Sequence, residues 1–178
     1  MAASEAAARP AVGDAMKLAR MLRHLFALPW SHRRHFDAAA LQAIESAIAD
    51  SESRHGGEIR IAVEATLSPM QVLRDVTPRA RALEWFARCG VWDTEANNGV
   101  LIYLLMAERD VEIIADRGLN GKVQPEEWAA VCHTMEQAFG HGAYVEGVVA
   151  GVQAVGELIH RHYPATDRNE LPNKPLVV

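Results

Sequence analysis

The chain has 178 residues, 49% of them hydrophobic, and a net charge of −5. This length fits one domain with tails, and the apolar content is enough for a sizeable core. The acidic balance argues against nucleic-acid binding, which relies on clustered basic charge.

The charge is uneven and separates a basic N-terminal arm, residues 1–36, from an acidic remainder. The arm holds six Lys and Arg residues against two acids, a net of +4, so the rest of the chain carries −9. Residues 16–28 predict an amphipathic helix. Its apolar face consists of Leu18, Met21, Leu22, Leu25 and Phe26. A basic helix followed by Trp30 is typical of a segment that lies on an anionic membrane, and it equally suits packing on the domain or on a partner protein.

Compartment signals are few. The first fifteen residues are alanine-rich but charged, without an apolar core after a basic start, so we expect no signal peptide. Cys89 and Cys132 fall in predicted helices, which favours small buried thiols in a reducing compartment, with one disulfide as the alternative. We therefore expect a cytoplasmic location, with residues 16–30 as the segment for any peripheral membrane contact.

The folded domain is expected to span residues 37–163, with Asp37 as the first helix cap. That helix ends at His55-Gly56-Gly57. Residues 58–65 alternate apolar and charged, which predicts a strand that is half covered or near a sheet edge. Thr77-Pro78 is typical of a helix start, and the strand–helix–strand order makes the first two strands parallel. The second helix is expected to bury Ala82, Phe86 and Cys89, with Trp85 beside them.

The most apolar stretch, residues 100–107, predicts a strand covered on both faces. Its polar break is Glu108-Arg109-Asp110, and residues 111–115 return as an antiparallel strand. The two strands form a hairpin at the centre of the fold.

Two helices and a tail complete the predicted chain. One helix starts at Gln124-Pro125 and ends at Gly140, and the last covers about residues 143–162. Residues 164–178 contain three prolines and are expected to form an extended tail. The predicted fold class is α/β: a three-layer α/β/α sandwich around a small mixed sheet, parallel between the first two strands and antiparallel in the hairpin.

Polar side chains collect at one end of this sheet. Antiparallel pairing about the turn places Asn97 and Asn98 near Asp116. The candidate metal ligands are Glu58, Asp93, Asn97, Asn98 and Asp116, with Glu95 as a further acid. Oxygen ligands of this kind suit Ca²⁺ or Mg²⁺ rather than Zn²⁺. The alternative interpretation is a turn at residues 97–99, with Asp116 as a loop cap, since Asn and Gly tolerate positive φ.

The stretch NNGVLIYLLMAERDVEIIADRGL, followed by EEWAAVCHTMEQAFGHGAYVEGVVAGVQAV, resembles the TPM domain over about residues 38–163. The shared motifs are the Asn-Asn-Gly-Val-Leu strand start, the charged hairpin turn, the Gly-containing exit and a Gly-rich final helix. That family includes thylakoid lumen phosphatase-like proteins, photosystem repair factors and many uncharacterised bacterial proteins. The resemblance implies an α/β/α sandwich and divalent-cation binding. At the Asn-Gly step this chain has Asn where many relatives have an acid, which lowers the charge of the site.

The expected function is that of a binding or assembly module, dependent on a divalent cation, that acts near a membrane or with a protein partner or complex. The alternative is a metal-dependent phosphatase acting on phosphomonoesters, with metal-activated water and Asp116 or Glu58 as base. The sequence contains no Gly-x-Ser-x-Gly elbow and no phosphate loop, so no covalent nucleophile is predicted.

Overall fold

A computed structural model describes residues 12–27, 35–165 and 169–178 of the chain. The helices are α1 (Val12–Phe26), α2 (Ala38–Glu52), α3 (Pro69–Leu73), α4 (Pro78–Arg88), α5 (Pro125–Gly140) and α6 (Tyr144–His160). The strands are β1 (Ile59–Glu64), β2 (Val100–Leu105), β3 (Asp110–Ala115) and β4 (Leu176–Val177), and a 3₁₀ turn covers Arg117–Leu119. Helices cover both faces of the sheet, which confirms the predicted α/β/α fold class.

The sheet is mixed and has the order β3-β2-β1-β4. Strands β1 and β2 are parallel, with Ile59 opposite Val100, and β2 and β3 form the predicted antiparallel hairpin, with Leu105 opposite Asp110. Strand β4 was not predicted: the tail returns and pairs in parallel with β1, where Ala62 lies opposite Leu176.

The interior position of β1 corrects one expectation. The alternation of residues 58–65 predicted a half-covered or edge strand, whereas β1 lies between β2 and β4 and is buried along almost its whole length. Its charged residues are accommodated by partners, because Arg81 binds the buried carboxylate of Glu64 through Nε at 2.8 Å. Trp85 also donates to that carboxylate, at 3.0 Å.

Strand β2 is buried on both faces, as its unbroken apolar sequence predicted. Because successive side chains of a strand point to opposite faces, Ile102 and Leu104 enter the core formed with α2, α5 and α6. Leu101 and Tyr103 enter the second core, on the side of α4. The hairpin therefore forms the centre of both cores.

Two local features of the α4 face differ from the prediction. Helix α4 buries Ala82 and Trp85, whereas Phe86 and Cys89 are only half-buried, because the contact with Glu64 turns the Trp85 face toward the sheet. Helix α3 was missed, although Ser68 and Gln71 form a capping box at its start.

Candidate functional site

The hairpin brings Asn97 against the residues that follow β3. Gly118 donates its backbone N–H to the carbonyl of Asn97 at 2.7 Å, and Arg117 Nε donates to Asn97 Oδ1 at 2.7 Å. Asp116 donates its backbone N–H to the carbonyl of Gly99 at 2.9 Å. Asn97 has a φ of 53°, so it also forms the positive-φ turn of the alternative interpretation.

Asp116 is the strongest ligand candidate at this end of the sheet. Its Oδ1 accepts the Arg117 N–H at 2.7 Å and so caps the 3₁₀ turn. Its Oδ2 is buried and has no hydrogen-bond partner among the described residues. A buried carboxylate oxygen without a donor is costly to maintain, and an incoming cation would satisfy it.

Asn98 points away from Asp116 and into the protein. It is buried, its Nδ2 donates to the carbonyl of Gly56, and its Oδ1 accepts from Thr94 Oγ1 at 3.2 Å. Thr94 Oγ1 also accepts the Asn98 backbone N–H at 3.1 Å. In this conformation, Asn98 joins the loop before β2 to the loop before β1.

Glu58 anchors the C-terminal tail. Its two carboxylate oxygens accept the backbone N–H groups of Glu170 and Leu171 at 3.0 and 3.1 Å. Arg60 adds a bond from Nη1 to the carbonyl of Lys174 at 3.0 Å. These contacts hold the tail where β4 can pair with β1.

The remaining predicted ligands, Asp93 and Glu95, are exposed. Within the described ranges, no group of three or more His, Cys, Asp and Glu side chains is arranged to hold a metal ion. A cation at the sheet end would therefore depend on Asp116 and on backbone and amide oxygens such as those of Asn97. Such neutral oxygens are ordinary ligands of Ca²⁺.

Sequence reasoning missed a pair of titratable groups where α2 meets the tail. Glu52 and His55 line a cavity of about 390 Å³, and Asn169 and Asn173 of the tail line it on the other side. Burial raises the pKa of Glu52 to about 8, with the charge of Glu58 as a further cause, and burial lowers the pKa of His55 to about 4. The sequence pattern gave no signal for Glu52, because this residue lies at the end of α2, ahead of the alternating residues that predicted β1.

Helix α1 is docked on the domain through its polar side. His24 is buried; its Nδ1 accepts the Leu67 N–H at 3.1 Å, so its Nε2 carries the proton and donates to Glu108 at 2.6 Å. Arg20 donates from Nε to the same carboxylate at 2.9 Å and from Nη2 to the carbonyl of Val76 at 2.7 Å. Glu108 in the hairpin turn thus anchors the helix.

The predicted apolar face of α1 points outward. Leu18, Leu22, Leu25 and Phe26 are 58%, 42%, 63% and 71% exposed, and Met21 is the member of that face in contact with the domain. Helix α3, on which α1 packs, adds exposed Met70 and Leu73. We call these six exposed side chains the α1 surface. No helix in the described part of the chain is long and apolar enough to cross a membrane.

The TPM domain sequence profile matches residues 32–158, which is most of the chain and includes three of the four strands described for its sheet, β1 to β3. The chain belongs to the TPM domain family. The TPM match includes the hairpin, the sheet-end site, helices α2 to α5 and all but the last two residues of α6. Helix α1 and strand β4 lie outside the matched residues. Among curated proteins, none matches this sequence.

Solved structures resemble this TPM domain. The NMR structure of the BA42 protein from the psychrophilic bacterium Bizionia argentinensis is 29% identical, with a TM-score of 0.70, over 79% of this chain and 94% of that one. The N-terminal domain of a P. gingivalis protein is 21% identical, with a TM-score of 0.59, over 75% and 82% of the two chains. The N-terminal domain of cg2496 from Corynebacterium glutamicum is 16% identical, with a TM-score of 0.51, over 79% of each chain. For the P. gingivalis and Corynebacterium glutamicum domains, at 21% and 16% identity, the likeness shows a shared fold alone.

Proposed function

We propose that this TPM-domain protein is a binding module that attaches to anionic membrane surfaces through the α1 surface. The observation that carries this proposal is the orientation of α1. Its polar residues hold it on the domain, while Leu18, Leu22 and Leu25 face outward. An amphipathic helix that only completed a fold would turn its apolar stripe to the core.

The chemistry of the surface favours a lipid interface. Amphipathic helices bind there by burying their apolar face at the boundary between headgroups and acyl chains, helped by flanking basic residues. Arg23 is exposed on α1, and the arm continues in sequence to Arg33 and Arg34. Lys17 and Arg20 are paired with Asp75 and Glu108, so they add less attraction. Apolar burial should therefore supply most of the binding free energy.

Vesicle co-sedimentation tests the proposal. We expect the protein to sediment with vesicles containing phosphatidylserine and to bind neutral phosphatidylcholine vesicles more weakly. Binding to the anionic vesicles should weaken as salt rises, because salt screens the charge attraction. If no protein sediments with anionic vesicles at low salt, the membrane proposal fails, and a protein partner becomes the occupant to seek.

We further propose that the module is cation-dependent, with Ca²⁺ or Mg²⁺ held at Asp116 beside Asn97. The support is the buried Oδ2 of Asp116, which has no hydrogen-bond partner in the described part of the chain. The phosphatase alternative would use the same ion to activate water. Hydrolysis of a generic phosphomonoester that requires the cation and disappears in Asp116→Asn would favour the enzyme. Cation binding without hydrolysis would favour the binding module.

A further inference from the structure

A cleft of about 750 Å³ follows the outer strand β3 on the side of α5. Its apolar lining includes Val111, Ile113 and the half-buried Trp128, and its acidic residues are Asp110, Glu112 and Glu136. We call this the β3 cleft. It is separate from the α1 surface and from Asp116.

The β3 cleft leaves one edge of the sheet accessible to the backbone of another polypeptide segment. Antiparallel pairing directs the N–H and C=O groups of alternate residues away from β2. The Asp116 N–H donates to the Gly99 carbonyl, on the side of β2. Alternation along the strand therefore turns the N–H and C=O groups of Val111, Ile113 and Ala115 to the outer side of β3. Side chains occupy two of them: Glu136 accepts the Val111 N–H at 3.2 Å, and Arg79 donates to the Ile113 carbonyl at 2.7 Å.

These two side chains occupy hydrogen-bonding positions on β3 that the backbone of a neighbouring strand would otherwise occupy. The Arg79 side chain is 55% exposed and is anchored otherwise by Glu112 at 3.1 Å, so it can turn into solvent. Side chains of this kind protect an edge from indiscriminate pairing. They also leave the edge open to a peptide that makes better backbone bonds than they do.

The charge of the β3 cleft specifies the occupant. Oδ1 of Asp110 is buried and has no hydrogen-bond partner among the residues described. Burial raises the pKa of Asp110 to about 6, and the charges of Glu112 and Glu136 raise it further in the same direction. A cationic side chain placed beside Asp110 would relieve both the missing bond and the repulsion.

We propose that the β3 cleft binds an extended, lysine- or arginine-containing segment of a partner protein, which adds to β3 as a fifth strand and sets a cationic side chain against Asp110. Strand addition would supply affinity through main-chain hydrogen bonds, and the acidic residues would supply the preference for a basic segment. The proposal is independent of membrane attachment, because it uses a different surface.

Fluorescence anisotropy with labelled hexapeptides tests the proposal. The probe is a blocked Lys-Val-Lys-Val-Lys-Val peptide, and the matched controls are the Glu-Val-Glu-Val-Glu-Val peptide and the basic peptide N-methylated at alternate residues. We expect the basic peptide to bind, the acidic one to show no binding, and N-methylation to weaken binding at least tenfold. Binding should also slow amide exchange at Ala115.

Protein variants complete the experiment. Asp110→Asn should weaken binding of the basic peptide about tenfold, because the negative charge that pairs with the cationic side chain of the peptide is lost. Glu126→Gln, an exposed position on α5 outside the cleft, should leave binding unchanged. The proposal is wrong if the basic peptide fails to bind at low salt, or if its N-methylated form binds equally well. It is also wrong if the protein is a dimer whose β3 edge the peptide cannot open, since a second copy would then occupy the cleft.

Discussion

Replacing Glu52 by Gln should raise the stability of the protein at pH 8. Burial raises the pKa of Glu52 in the folded protein to about 8 from an ordinary value of 4.5. Between these values the folded state binds more protons than the unfolded state, so stability contributed by this group falls as pH rises. Gln keeps an oxygen that can accept the Ile59 N–H, which Glu52 Oε1 accepts at 2.8 Å, and it carries no charge.

The size of this stability change and the pH range in which it occurs depend on Glu52 and His55. His55 has a pKa lowered to about 4 from 6.5, so its contribution to stability rises with pH between those values and opposes that of Glu52. Above pH 6.5, His55 is neutral in the folded state and increasingly neutral in the unfolded state, so it opposes Glu52 only weakly. One pKa unit corresponds to about 1.4 kcal/mol, so the interval from pH 6.5 to 8 should cost the wild type about 1.5–2 kcal/mol through Glu52.

Thermal or urea unfolding at pH 6.5 and pH 8 measures this effect. We expect Glu52→Gln to reduce the loss of stability between the two pH values by about 1.5–2 kcal/mol, a melting difference of roughly 5 °C for a chain of this size. Glu45→Gln, an exposed position on the same helix, is the matched control and should follow the wild type. A Glu52→Gln profile parallel to the wild type would refute the assigned role of this buried carboxylate.

Three further outcomes are expected. A cation present at a hundredfold excess over its dissociation constant should stabilise the fold by about 2.7 kcal/mol, a melting shift of roughly 5–10 °C. Asp116→Asn should abolish that shift and Arg109→Gln at the far end of the hairpin should keep it; a wild-type shift below about one degree at millimolar ion would mean no useful site. Gly99→Ala should cost about 2–3 kcal/mol in urea unfolding, because its Cβ would overlap the backbone carbonyl of the preceding loop, whereas Gly140→Ala meets open space; equal stabilities would contradict this packing. Deleting residues 1–30 should leave cooperative unfolding intact, because the strands and the buried residues of both cores lie beyond them, while Met21 packs on the second core from outside; loss of the transition would place the arm in the core.

The sequence predicted the features that depend on local pattern. The apolar run of β2 followed by a polar break is typical of a hairpin, and Thr77-Pro78 starts a helix by local chemistry alone. Strand β4 has no such pattern: it is two residues long and pairs because Glu58 and Arg60 hold the tail from a distance. Glu58 thus anchors the tail by accepting its backbone N–H groups, a role that its position in the sequence did not indicate.

The orientation of α1 also lay beyond the sequence. Helical periodicity identifies an apolar face but not which face meets the domain. That choice depends on Glu108, which lies more than eighty residues away and binds Arg20 and His24. At the sheet end, by contrast, hairpin geometry alone was enough to predict that Asn97 meets the residues that follow β3, while the inward turn of Asn98 depends on Gly56.

The most direct test of the membrane proposal compares matched surface variants in quantitative vesicle binding. Full burial of a leucine side chain contributes about 1.5–3 kcal/mol, and Leu22 and Leu25 offer roughly half of that each. The double variant Leu22→Glu/Leu25→Glu should therefore lose about 2 kcal/mol of binding to phosphatidylserine vesicles, within a range of about 1.5–3 kcal/mol, or roughly thirtyfold in affinity. Leu83→Glu, a 50% exposed position on α4, is the control and should bind like the wild type. If the folded double variant also binds like the wild type, the α1 surface is not the membrane contact.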